Sequence, residues 1–268
     1  MESRSRRRFL KNSLQMTAAG MTTLAAAPAP QNANNRTLGA NDRIRFGLIG
    51  CGGMGRSDLR DFLRNKNTEC VALCDVDDQQ SARVAGFVDE QFSQKPTLTT
   101  RDFRRVLDDR SIDAVIIATP DHWHAIPTIM ACQAGKDVYV EKPLSLTIAE
   151  GRTMVETARR HSRVVQMGTQ QRSATHYAEA ISYVKSGKLG KIRLVRTWAY
   201  QDWMGNIPRV PDSEPPSTVD YDFWLGPAPK RPFNKNRFHF NFRWYWDYAG
   251  GLMTDWGAHM IDIANWGM

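Results

Sequence analysis

Residues 44–55 read IRFGLIGCGGMG, and this stretch decides the fold. The run 44–49 is apolar enough for a buried strand. Gly50, Gly52 and Gly55 then stand at the spacing G-x-G-x-x-G, and residues 56–64 continue as a helix pattern with Leu59 and Leu63 four apart. In a strand–loop–helix unit the first glycine makes the tight turn. The second lets the backbone approach a pyrophosphate, and the third lets helix and strand pack closely. Twenty residues past Gly55, Asp75 closes a second strand-like run, 71–74. A carboxylate there accepts hydrogen bonds from a ribose diol and repels a 2′-phosphate. A dinucleotide is therefore expected, NAD in preference to NADP. Its expected loop and ribose contacts are Gly50, Gly52, Gly53, Met54, Gly55 and Asp75.

Outward from this loop the chain alternates short apolar runs with helix patterns. Strands are expected at 44–49, 71–74, 114–118, 138–140 and 164–167. Thr147-Ile148-Ala149-Glu150 is a capping box that starts a helix at Thr147. Such alternation predicts the α/β class, a doubly wound parallel sheet covered on both faces. After residue 168 the character changes. A helix pattern over 177–184 leads into a strand-like run, 191–200, and then a Pro- and aromatic-rich stretch. Seven of the eight tryptophans lie beyond residue 190. A second, partial α+β domain with a mostly antiparallel sheet is expected. The divisions are 1–41 for a leader and linker, 42–165 for the dinucleotide-binding domain and 166–268 for an incomplete substrate domain.

The leader carries Arg6-Arg7-Arg8-Phe9-Leu10-Lys11, then a mildly apolar stretch ending in Ala25-Ala26-Ala27. That layout reads as a twin-arginine export signal, which places the mature protein in the periplasm. The apolar stretch is too short to span a membrane. The first 27 residues hold five basic side chains and one acidic, half of the formal charge of +8. The remainder is too small and scattered to argue for nucleic acid. Of four cysteines, Cys70 and Cys74 lie four apart on a strand, roughly 13 Å between Cα atoms. They cannot pair, and all four read as buried fillers.

Three constellations carry chemistry. The strand 138–140 runs into Glu141-Lys142-Pro143, and ligands of an open α/β sheet sit beyond the carboxyl ends of its strands. Lys142 is therefore expected at the nicotinamide end, where it can stabilise a developing alkoxide, with Glu141 beside it. Thr119, Pro120, His122 and His124 also follow a strand and should border the cofactor. His122 and His124 lack a third ligand nearby, so no metal site is expected. Asp255 and His259 are four apart on a helix pattern and share a face, where a carboxylate can orient an imidazole. A solvated polar stripe is the plain alternative for that pair. Trp198, Tyr200, Trp203 and Trp244 could stack on sugar faces or serve as core.

Together these stretches resemble the Gfo/Idh/MocA oxidoreductases, the glucose–fructose oxidoreductase and inositol dehydrogenase group. The resemblance rests on FGLIGCGGMG, ALCDVD, IIATPDHWHA, AGKDVYVEKPLSLT, VVQMGTQQRS, GKIRLVRTWAY, WLGPAP and GGLMTDWGAHMID, from residue 42 onward. It implies a nicotinamide-dependent enzyme acting on a sugar or polyol. Lys142 and His259 would serve the substrate hydroxyl, with Asp255 beside them and Arg172 contacting cofactor or substrate. It also implies homo-oligomers for a full-length relative. Family members continue past the position of Met268, so a C-terminally truncated chain is expected. Export implies a cofactor carried out bound and recycled in place. A glycoside hydrolase working by transient oxidation and an inactive nucleotide-binding fragment are the alternatives.

Overall fold

A computed structural model describes residues 43–200 and 207–268 of the chain. The arginine-rich leader, the linker that follows it and Trp203 lie outside those residues.

Six strands form one parallel sheet: β1 (Ile44–Ile49), β2 (Thr68–Cys74), β3 (Leu98–Thr100), β4 (Ala114–Ile117), β5 (Asp137–Val140) and β6 (Val165–Met167). Their order is β3-β2-β1-β4-β5-β6. The order runs outward in both directions from β1. The crevice beyond the ends of β1 and β4 is thus the topological switch point, where such sheets hold ligands. The five expected strands are present. β3 is additional, and its three residues Leu98-Thr99-Thr100 form no apolar run that a periodicity argument could catch.

Side chains alternate across the sheet. Phe46, Leu48, Leu73 and Ile116 point into one buried cluster with Leu59, Val84 and Val88. Ile49, Val71, Val115, Ile117 and Val138 point into another with Phe103, Val106 and Met154. Both faces are covered, which is why the strands read as continuous apolar runs rather than alternating ones. Fully burying each such side chain stabilises by roughly 1.5–3 kcal/mol, so the sheet is a firm base for the loops at its ends. On the first face lie α1 (Gly53–Leu63) and α2 (Asp78–Phe92); Asp77 caps α2 by accepting from the Gln79 amide at 3.0 Å. α3 (Phe103–Asp108), α4 (Ala125–Gln133) and α5 (Ile148–Arg160) serve the other cluster. α5 starts at the expected capping box. The Glu150 amide donates to Thr147 Oγ1 at 3.2 Å, and the Thr147 amide donates to Glu150 Oε2 at 2.8 Å.

The second half is built differently. α6 (Thr175–Lys185) packs along α8 (Leu252–Gly267), with Ile181 against Gly267. Between them, α7 (Tyr221–Leu225) and two 3-10 turns carry an aromatic cluster of Trp224, Phe233, Phe238 and Tyr248. This cluster is docked onto the carboxyl-end edge of the sheet. Val219 bridges Asp77, the Asp220 amide donates to the Val76 carbonyl at 2.9 Å, and the Trp123 indole donates to the Trp224 carbonyl at 2.8 Å. The expected strand at 191–200 does not form. Those residues pair with nothing in a sheet, and Leu194, Trp198 and Tyr200 are exposed. An alternating pattern makes a strand only where a neighbour accepts its hydrogen bonds. Among the described residues the second half has no antiparallel sheet, and no helix is long and apolar enough to cross a membrane.

Candidate active site

The glycine loop turns β1 into α1. Gly50 has φ +95°, and a Cβ there would lie 2.6 Å from the Ala118 carbonyl. A Cβ at Gly55 would lie 1.9 Å from the Gly50 oxygen, so helix and strand meet with no room for a side chain. A Cβ at Gly52 or Gly53 would meet nothing, and both line a cavity of about 870 Å³. Gly53 and Met54, the first residues of α1, line this space. Unpaired N–H groups at a helix start attract anions. Across the loop, Asp75 Oδ2 accepts from the Cys51 amide at 2.7 Å and Oδ1 from the Asp77 amide at 2.9 Å. Burial raises its carboxyl to about 6 against the opposing pull of those amides. Each oxygen keeps a lone pair for a ligand hydroxyl.

At the other end of the same cavity, β5 delivers Lys142. Its Nζ donates to Asp255 Oδ1. Arg243 Nε donates to Asp255 Oδ2 at 2.8 Å. Burial alone would raise the Asp255 carboxyl, but the hydrogen bonds and charges of Lys142 and Arg243 outweigh it and hold it below the usual range. His259, one turn further along α8, is 5% exposed and lines the cavity, and its Nδ1 has no hydrogen-bond partner. Burial and then the Lys142 charge lower its pKa, against the pull of Asp255 and Asp262. The imidazole is therefore neutral at pH 7. Asp255 does not hydrogen-bond it, because both carboxylate oxygens are turned to the two cations. The aspartate positions Lys142 directly and acts on His259 only through its charge.

Two further carboxyls close the wall. Burial raises Asp121 to about 7, helped by the Asp255 charge. Burial raises Glu141 to about 7 against the charge of Lys142. Glu141 Oε1 is buried without a partner, as are Thr119 Oγ1 and Gln171 Oε1, and all three residues line the cavity. Behind them Asp58, on α1, is raised to about 8 by burial and by Glu141.

Gly50, Gly52, Gly53, Met54, Asp75, Thr119, Pro120, Glu141, Lys142, Asp255 and His259 thus share one cavity. Gly55 stands behind it as the packing glycine. His122, His124 and Arg172 are placed elsewhere. His122 Nε2 meets the Trp224 carbonyl at 2.9 Å. His124 spans the Pro143 carbonyl at 2.6 Å and the Thr119 carbonyl at 2.7 Å, tying two strand-end loops together. Burial keeps its pKa low despite those two acceptors. Arg172 forms a fork with Asp262 at 2.6 and 2.7 Å and lies over Trp266, clasping the turn after β6 to α8. Sequence reasoning missed Asp121, Arg243 and His239. His239 Nε2 meets Asp77 Oδ2 at 3.0 Å at the far end of the cavity. Asp121 stood beside two histidines that drew attention from it. Arg243 sits in an aromatic run, Phe240 to Trp246, with no periodicity to mark it. The four cysteines are buried free thiols, and among the described residues no three His, Cys, Asp or Glu side chains converge as a metal site requires.

Comparison with known proteins assigns the chain to a family. The model of the Gfo/Idh/MocA oxidoreductase family, NAD-binding Rossmann fold, matches residues 44–169, and that of the family's C-terminal alpha/beta domain matches residues 175–266. A "Glycosyl hydrolase family 109 protein" of Shewanella putrefaciens is 31% identical over 207 residues, 72% of this chain and 45% of the relative. The chain thus spans less than half the length of the curated relatives it matches. Among solved structures, an oxidoreductase domain protein from Kribbella flavida is 26% identical with a TM-score of 0.63, over 84% of this chain and 54% of that one. A myo-inositol 2-dehydrogenase from Lactobacillus plantarum is 28% identical with a TM-score of 0.51, over 56% of this chain and 43% of that one.

Proposed function

This chain belongs to the Gfo/Idh/MocA oxidoreductase family, and on that premise we propose that it moves a hydride between a sugar or polyol carbinol and a tightly held nicotinamide dinucleotide. The observation that carries the reading is the shared cavity: Lys142, Asp255 and His259 converge on the space that the glycine loop opens into. The residues present fit a dinucleotide. Gly52 and Gly53 leave room for a pyrophosphate, and Asp75 offers lone pairs to a ribose. Asp75 favours NAD.

When bound, the nicotinamide ring supplies the hydride acceptor. The chain's own residues do the rest. Neutral His259 takes the carbinol proton as general base. Lys142, held by Asp255, donates to the same oxygen and stabilises the charge that grows there. Arg243 fixes the other Asp255 oxygen, so the carboxylate cannot swing toward the imidazole and release the lysine.

The similarity to proteins named for glycoside hydrolysis favours a second reading at the same residues. Oxidation of a sugar hydroxyl to a ketone acidifies the neighbouring C–H, so that proton and the aglycone are eliminated, water adds across the resulting double bond, and the ketone is reduced again by the hydride first removed. Both readings start with the same proton and hydride transfer, and they separate on stoichiometry. Net hydride transfer produces reduced cofactor in step with oxidised sugar. The hydrolytic route releases aglycone from an aryl glycoside with no net reduced cofactor.

We further read residues 42–165 as the nucleotide domain and 166–268 as part of a substrate domain, exported by the twin-arginine route with its cofactor in place. Mass spectrometry of the purified, denatured protein is expected to show bound NAD(H). Protein recovered from the periplasm without nucleotide would overturn the tight-binding reading.

A further inference from the structure

Arg101 is the first residue after β3, and the Asp75 amide donates to the Thr100 carbonyl beside it at 3.2 Å. Arg101 therefore stands next to the ribose carboxylate, and both line the cavity. An arginine at this place is suited to grip a 2′-phosphate, which a guanidinium fork binds in two-point fashion. The Nε–Nη2 edge of its guanidinium is already taken. Nε donates to Asp78 Oδ1 at 2.8 Å, and Nη2 donates to Asp78 Oδ2. The carboxylates of Asp77 and Asp220 add to the negative field around it.

We propose that Asp78 is a determinant of cofactor choice: by engaging Nε and Nη2 of Arg101 it occupies the side-on fork of the guanidinium and offsets its charge, so the 2′-phosphate of NADP meets a competitor for the arginine. This rests on the reading of the cavity as a dinucleotide site, and it adds to Asp75 a second element acting by a different means. Asp75 offers acceptors to the diol that NAD has. Asp78 competes for the guanidinium that NADP would use. The pair is solvent-exposed, 38% for the arginine side chain and 56% for the aspartate. Exposed ion pairs contribute little to folding, so a change here reads out recognition rather than stability. Asp78 binds the second half of the chain only through its backbone, the amide donating to the Thr218 carbonyl at 3.1 Å, and Asp78→Asn leaves that bond in place.

The test is a competition. Protein is stripped of nucleotide and equilibrated with equal NAD and NADP. It is then freed of unbound ligand and denatured, and the retained nucleotides are counted by mass spectrometry. Wild type is expected to retain NAD. Asp78→Asn should raise the NADP-to-NAD ratio roughly tenfold, the scale of one charge-assisted hydrogen bond, with NAD still retained because Asp75 is intact. Asp78→Asn combined with Arg101→Ala should return the ratio to the wild-type value. An unchanged ratio in the single variant, or an equal rise in the double variant, overturns the assignment to a masked arginine. Retention of neither nucleotide by wild type instead removes the dinucleotide reading itself, and this proposal with it.

Discussion

The cavity has two walls made by opposite means. One is the edge of a parallel sheet: the glycine loop after β1, Asp75 after β2, and Glu141 and Lys142 after β5. The other is an irregular aromatic segment, from which His239, Phe240, Phe242 and Arg243 reach in. The first wall places its side chains by backbone periodicity, so each functional residue falls at the end of an apolar run. The second wall has no periodicity to use. It is fixed by individual bonds to its surroundings, His239 to Asp77 on the sheet edge and Arg243 to Asp255 on α8. The difference teaches that the sheet sets where chemistry happens. The aromatic segment adds Arg243, the second cation that with Lys142 holds the Asp255 carboxyl low.

The largest effect should come from the first wall. Lys142→Ala removes the proposed donor to the carbinol oxygen, and losses of about 10²–10³ in kcat accompany removal of one such donor. Its ammonium also lowers the Asp255 carboxyl together with Arg243, and adds to burial in lowering the His259 pKa, so the pH profile should move as well as fall. Steady-state kinetics over pH checks this, and nucleotide retention should survive because the glycine loop is untouched. A variant with wild-type kcat would mean that Lys142 only shapes the wall.

The second wall should give a smaller, pH-dependent effect. Arg243→Met removes one of the two cations that hold the Asp255 carboxyl low. A carboxylate whose folded pKa is depressed stabilises the fold above its unfolded pKa, near 3.9, and that contribution is lost as pH falls through the folded value. Raising the folded value toward the ordinary one shrinks the contribution and moves its loss to higher pH. The variant should lose roughly 1–3 kcal/mol at pH 7 and less relative to wild type as pH approaches 3. Denaturant melts at several pH values read this directly. A cost independent of pH would assign Arg243 a packing role over the Phe240 and Phe242 rings instead.

The same contrast explains what was legible. The loop, Asp75 and Lys142 could be read because a strand, a turn glycine and a following carboxylate or lysine are local events, each fixed within a few residues. The sheet and its capped helices followed from apolar runs and from Thr147 with Glu150. The Asp255–His259 spacing was visible, but its use was not. Which partner a carboxylate chooses depends on cations 113 residues upstream, at Lys142, and 12 upstream, at Arg243. The run 191–200 has a strand's alternation, yet a strand is a property of two segments and only one was in view. His122 and His124 follow a strand and so are expected to border the cofactor. The aromatic segment buries the first against Trp224, and two loop carbonyls take the second.

The smallest effect tests a residue that sequence reasoning placed at the cofactor and the geometry places outside the cavity. Arg172 spends its fork on Asp262 and its face on Trp266, with 45% of its side chain exposed. It tethers α8, the helix that carries Asp255 and His259, to the turn after β6. An exposed pair of this kind is worth about 0–1 kcal/mol. Arg172→Ala should therefore lower stability by less than about 1 kcal/mol and leave the retained nucleotide unchanged. The outcome that separates the two roles is nucleotide retention rather than stability. A marked loss of bound nucleotide, with the melt unchanged, would return Arg172 to the cofactor and mean that the fork with Asp262 opens on binding. Retention with a slightly softened α8 would leave it as the clasp that keeps the helix, and the base it carries, against the wall that holds Lys142.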